Sequence, residues 1–182
     1  MNQNGIVPQP RAVGANDGDL PLLVKQFGAA SGPIFQVFKY QGGWERWLQI
    51  EFTRKIAYDR PGVLCEQHIW GNGNRVDIWA RGNVGMPHVG FELKCRTAAE
   101  EGIAFADRFH ADIVKVAKRP AEENTPCVLY AIGLTTDEED LAQAYVPVRD
   151  PNGPIGQSLV INYTQVVQGL WMLYVAVPHY HA

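Results

Sequence analysis

Two short runs, Arg75 to Ala80 and His88 to Cys95, alternate apolar with other residues at a period of two, and a turn-rich stretch over residues 81–87 joins them. That alternation is the pattern of strands with distinct faces, and a Gly/Asn/Pro connection of this length closes a hairpin. The pleat then fixes which side chains share a side. Val76 and Ile78 fall with Val89, Phe91 and Leu93, while Asp77, Glu92 and Lys94 fall together on the opposite face. Two carboxylates and an amine converge, flanked by Trp79 and Phe91. Carboxylates in such surroundings are costly to strip of water unless a divalent cation or the lysine offsets their charge. The expectation is a metal site.

The same spacing, Asp77 followed fifteen residues later by Glu92-Leu93-Lys94, resembles the PD-(D/E)XK nuclease superfamily, which has the restriction-endonuclease-like fold. The resemblance implies an α/β protein with a mixed central β-sheet flanked by helices, built on an αβββαβ core, and residues from about 43 to 134 can be read in that order. Asp77 would be the first acid, Glu92 the second and Lys94 the lysine. The proline that commonly precedes the first acid is missing, and Val76 stands in its place. The resemblance further implies Mg2+ or Mn2+ held by Asp77, Glu92 and the backbone carbonyl of Leu93, with nucleic acid, DNA above RNA, as substrate. Members of the superfamily commonly draw another carboxylate from the first helix, a part that Glu51 would play, with Glu45 and Glu66 as alternatives. Lys115 and Arg96 are the residues expected to touch substrate, and a homodimer is compatible with the family.

Glu51 is also singled out by its own surroundings. Residues 43–58 show helical spacing, with Trp44, Trp47, Leu48 and Phe52 as the apolar positions, and Glu51 projects between Trp44 and Trp47. A carboxylate there needs a cation, either a metal or Arg54 one turn on. Downstream, Val63 to Trp70 reads as a strand carrying Glu66 and His68, and the Asn-Gly pair in residues 71–74 reads as a turn. After Lys94, Thr97 with Glu100 has the form of a capping box opening a helix that runs to about Lys118, ended by Pro120. On that helix Asp112 and Lys115 are spaced i,i+3, the ordinary spacing of a surface ion pair. The apolar run Cys127 to Gly133 reads as a doubly buried strand reached by a crossover, hence parallel to its neighbour. A short helix led by the acids of residues 137–140 and two strands, 158–163 and 170–177, complete the pattern. His179 and His181 fall in a terminal tail expected to fray.

Composition narrows the alternatives. With 182 residues, of which 46% are hydrophobic, the chain can bury one core. Residues 1–32, rich in Asn, Gln, Gly and Pro, read as a flexible N-terminal arm, and 33–182 as a single nuclease-like α/β domain. No apolar run reaches membrane-spanning length, and the first residues lack a secretory leader's pattern. The expectation is a cytoplasmic protein with no membrane partner, signal-free export remaining compatible. Cys65, Cys95 and Cys127 have no paired spacing and read as buried thiols rather than zinc ligands. The net charge is −3, yet residues 46–119 hold twelve of the 16 Lys and Arg against nine acids. The basic excess thus accompanies the hairpin.

The leading expectation is therefore a Mg2+- or Mn2+-dependent phosphodiesterase, an endonuclease by resemblance. Lys94, beside the cation, would have its proton loosened and either deprotonate the attacking water or stay charged against the phosphate. One alternative is an interbacterial or mobile-element nuclease toxin with an immunity or delivery partner protein. Another is a non-catalytic interaction module of the same fold, an antitoxin or assembly subunit.

Overall fold

The computed structural model describes residues 43–60, 62–71, 73–82, 85–120, 126–144, 148–149 and 158–179. The expected arm, residues 1–32, and His181 lie outside them. In chain order the elements are α1 (Gly43–Asp59), β1 (Val63–His68), β2 (Arg75–Ala80), β3 (His88–Cys95), α2 (Gly102–Val116), β4 (Cys127–Thr135), α3 (Glu139–Ala144), β5 (Val148–Arg149), β6 (Ser158–Leu159), β7 (Asn162–Val167) and β8 (Leu170–His179). A six-stranded mixed sheet in the order β1-β2-β3-β4-β8-β7 forms the centre, and β5 pairs with β6 apart from it. Within the large sheet β3 and β4 run parallel and every other pair antiparallel. The chain is a mixed α/β protein.

The crossover expected before Cys127 is α2, which carries the chain from β3 to its parallel neighbour. β4 is buried along almost its whole length, flanked in the sheet by β3 and β8 and covered on one face by α2. On one side Trp44, Leu48, Phe52 and Ile56 of α1 pack on Ile78, Phe91, Leu93 and Ile132. On the other, Phe105, Phe109 and Ile113 of α2 pack on Trp79, Leu129 and Ala131. Val76, at the start of β2, joins this second cluster rather than sharing the side of Ile78, its end of the strand being twisted away from the pleat's simple alternation. Gly133 sets how closely α2 approaches. A Cβ there would lie 3.0 Å from the Phe109 ring and 3.1 Å from that of Phe105. The helix therefore lies tight against the sheet, so polar side chains one turn apart on it reach β3.

Several boundaries differ from expectation, and the strand expected over residues 158–163 is divided between β6, paired with β5, and β7 in the large sheet. Thr97 and Glu100 do bond as half a capping box, Thr97 N–H to Glu100 Oε2 at 3.3 Å, but they close a turn, and α2 begins only at Gly102. β8 continues to His179, which is buried and whose ring nitrogen bonds the Val116 carbonyl at 2.9 Å. That tertiary contact holds the strand end instead of letting it fray.

Candidate active site

The β2–β3 ladder is short. It pairs Ile78 with Phe91, Trp79 with Gly90 and Ala80 with Val89, then stops, although β3 runs on to Cys95 beside β4. Where the strands part, the Asp77 carboxylate takes the place of a main-chain acceptor, receiving the Leu93 N–H at 2.7 Å. In an extended strand the amide and carbonyl of one residue point to the same edge, so this bond also turns the Leu93 carbonyl toward the gap. On the other side of β2, Glu66 lies opposite Asp77 but outside the ladder, between the pairs Cys65–Ile78 and Gln67–Val76. Its φ of 56° is unusual for a residue with a side chain and marks local strain. The Asp77 carbonyl accepts Gln49 Nε2 at 2.7 Å instead, and the same amide group reaches Glu66 Oε1 at 3.0 Å. The result is a cleft, open to solvent, lined by Glu45, Arg46, Gln49, Glu66, Asp77 and Leu93.

Beneath the cleft the charges interlock. Glu92, 2% exposed, meets Lys115 of α2, Nζ to Oε1 at 2.8 Å. Lys94, one pleat further, sits between Asp112 of α2 and Glu45 of α1, 3.4 Å from each. Glu45 is fixed in turn by the Cys95 N–H at 3.1 Å, with Arg108 3.9 Å away. Among the described residues Asp77 has no cation within ion-pairing distance. Burial pushes the Asp77 carboxyl up to about 6, against the lowering effect of its bond from Leu93 N–H. Glu92 is pushed up to about 8, first by burial and then by the charge of Asp77. Burial alone would lower Lys94, yet Asp112 and Glu45 hold it above its ordinary value. These neighbours favour the charged ammonium, and the loosening expected beside a bound divalent cation would be a separate effect.

The structure joins Asp77 to the Leu93 main chain and sets Glu45 and Glu66 beside it in the cleft, with Glu92 near enough to feel the charge of Asp77 and Lys94 tied to Glu45. It does not bring Glu51. That residue pairs with Arg54 at 2.9 Å on the opposite flank of α1. The reason is geometric: Ile56 is buried and Trp47 only partly so, which rotates the apolar stripe toward Phe52 and leaves Glu51 at its far border, about 160° around the helix from Gln49. Arg96 is likewise not directed to a ligand, since its guanidinium pairs with buried Asp140 at 2.8 Å and with Asp137 at 3.5 Å, tying β3 to α3. Lys115 points inward to Glu92 rather than outward. Asp112 is not the surface partner of Lys115 but the counter-ion of Lys94, because the tight seat of α2 turns both residues onto β3. His68 is exposed and accepts from Arg75 Nε at 3.1 Å. Gln49, Arg46 and Arg108 carry no motif. Only the i,i+4 spacing of Glu45 and Gln49 on one helix flank could have pointed to the first of them.

Hard oxygen donors suit Mg2+ or Mn2+, and one or two carboxylates with water complete such a shell. Asp77 and Glu92 offer them, and burial holds both above the ordinary carboxyl range, so each ionises less readily than a free carboxyl. Among the described residues no three His, Cys, Asp or Glu side chains cluster as a ready-made metal cage. The fit is to two carboxylates and the Leu93 carbonyl. No helix among the described residues is long and apolar enough to cross a membrane. Comparison of the chain with protein-family models, curated proteins and solved structures finds no match.

Proposed function

We propose that this chain is a Mg2+- or Mn2+-dependent nuclease of the PD-(D/E)XK type that hydrolyses phosphodiester bonds in DNA. The observation that carries the reading is the convergence of Asp77 and Glu92, with Lys94 beside them, at the point where β2 and β3 separate. The succession α1-β1-β2-β3-α2-β4 supports it, being the order that the αβββαβ core of that superfamily calls for. A bound divalent cation supplies an activated water and relief of charge at the phosphoryl oxygens. Asp77, Glu92 and the Leu93 carbonyl would hold it. Lys94, clamped by Asp112 and Glu45, keeps its proton and sets positive charge against the phosphate, an electrostatic rather than a basic role. Glu45 takes the helix carboxylate's part through its hold on Lys94.

The decisive experiment offers purified protein plasmid, linear duplex, single-stranded DNA and RNA, each with Mg2+, Mn2+ or EDTA. Cleavage of DNA with either metal and none in EDTA is the expected result. No cleavage of any substrate under any condition would remove the reading. Within the same assay Glu45→Gln is expected to slow cleavage by about 10- to 100-fold, the scale of lost outer-shell partners. Glu51→Gln should leave the rate unchanged, and the reverse order would restore Glu51 to the site.

One observation favours a second reading. Glu92 and Lys94 already have counter-ions from α2 and α1, an arrangement that would also suit a non-catalytic interaction module whose charged network only stabilises the fold. Thermal melts separate the two: a nuclease gains several degrees with saturating Mn2+, and a scaffold gains none.

A further inference from the structure

Lys115 has two partners and neither is solvent. Its ammonium lies 2.8 Å from Glu92 Oε1 and 5.3 Å from the centre of the Trp70 ring. Glu92 comes from the sheet and Lys115 from α2, whose Phe105, Phe109 and Ile113 are buried against that sheet, so the contact is held by the packing of both elements. Its neighbour cannot substitute for it, because Lys94 is committed to Glu45 and Asp112. A divalent cation shared by Asp77 and Glu92 would put two positive charges within contact distance of an oxygen that Lys115 already occupies. Like charges at that separation repel strongly in a site this buried. The Trp70 ring offers the ammonium a resting place without a carboxylate, since an aromatic face attracts a cation.

We propose that Lys115 is the resident cation at Glu92 Oε1 and that a divalent cation enters the site by displacing it onto the Trp70 face. This rests on the metal-site reading above and adds competition between side chain and ion. It makes Lys115 a positioning residue that sets how much Mn2+ or Mg2+ is needed to load the site.

The test is Mn2+ binding to the full chain, followed by the electron paramagnetic resonance signal of free Mn2+, for wild type, Lys115→Met, Lys115→Arg and Glu92→Gln. Methionine keeps the stem against Trp70 without the charge, and this variant should bind Mn2+ at least about fivefold tighter, the lower end of the usual coupling between two binding events in one protein. Arginine grips a carboxylate with two parallel bonds, so Lys115→Arg should bind Mn2+ more weakly than wild type. A role in support of the fold alone would not move the two variants in opposite directions. Wild-type or weaker affinity in Lys115→Met overturns the displacement while leaving the metal site standing. Should that variant fail to fold, Lys115→Arg decides: weaker binding supports the proposal, and equal or tighter binding overturns it. Absence of Mn2+ binding by wild type, or undiminished binding by Glu92→Gln, removes the metal site and the displacement together.

Discussion

Asp77→Asn is expected to fold normally and cleave nothing, whereas Asp77→Ala loses cleavage and stability together. The distinction follows from the two tasks of one carboxylate. One oxygen accepts the Leu93 N–H at 2.7 Å, and this bond stands in for a missing rung of the β2–β3 ladder. Asparagine retains a carbonyl oxygen that can accept the same bond, so the strand geometry survives. Alanine leaves a part-buried amide donor without its acceptor, at a cost of about 1–3 kcal/mol, seen as a melting point several degrees lower. The other task is charge. Neither variant supplies the negative charge that holds a divalent cation, and cleavage of plasmid with Mn2+ should fall by about a thousandfold, the upper range for removal of a single preorganised electrostatic group. Wild-type rates in Asp77→Asn would take Asp77 out of the chemistry, whatever its part in the fold.

The hairpin and the shared side of Glu92 and Lys94, which both meet α2, were legible because strand periodicity is a local property, readable from a dozen residues. The parallel crossover to β4 was legible for a related reason, a long amphipathic helix ahead of a wholly apolar run. The helix carboxylate was not. Glu45 and Glu51 lie on the same helix, and choosing between them depends on whether Trp47 or Ile56 anchors the buried stripe, which only packing against β2 and β3 decides. Asp112 and Lys115 show the same limit. Their i,i+3 spacing fits a solvent-exposed pair as well as an inward one. What turned them onto Lys94 and Glu92 is the close seat of α2 over Gly133, a tertiary contact with no signature in either segment. The left-handed turn of Glu66 is hidden for a different reason: nothing in Val63 to His68 requires it, and the Gln49 amide that satisfies the exposed Asp77 carbonyl comes from another element.

The second large effect is on stability, and its direction runs against common experience with acidic groups. In the folded chain the Glu92 carboxyl is raised to about 8, mainly by burial, from an ordinary 4.5, and Asp77 to about 6 from 3.8. Between each pair of values the folded protein holds a proton that the unfolded chain has released. Stability then falls as pH rises, since its slope with pH follows the protons bound by the unfolded state less those bound by the native one. In EDTA the loss should begin near pH 4, continue to about pH 8 and level off above it, where both states are ionised. One such group contributes up to about 1.4 kcal/mol per pH unit within its window, and at this chain length each kcal/mol moves the melting point by about 2–4 °C. Above pH 6 Glu92 carries most of what remains of the pair's titration, so Glu92→Gln should make that part of the curve much shallower. Saturating Mn2+ should reverse the trend, because a cation competes with protons for the same oxygens and binds more firmly as pH rises. Melting curves in EDTA and in Mn2+ at pH 6, 7 and 8 read all three results. A wild-type profile in EDTA that is level from 6 to 8, or that matches Glu92→Gln, would show that the Glu92 carboxyl is ionised without penalty in the fold.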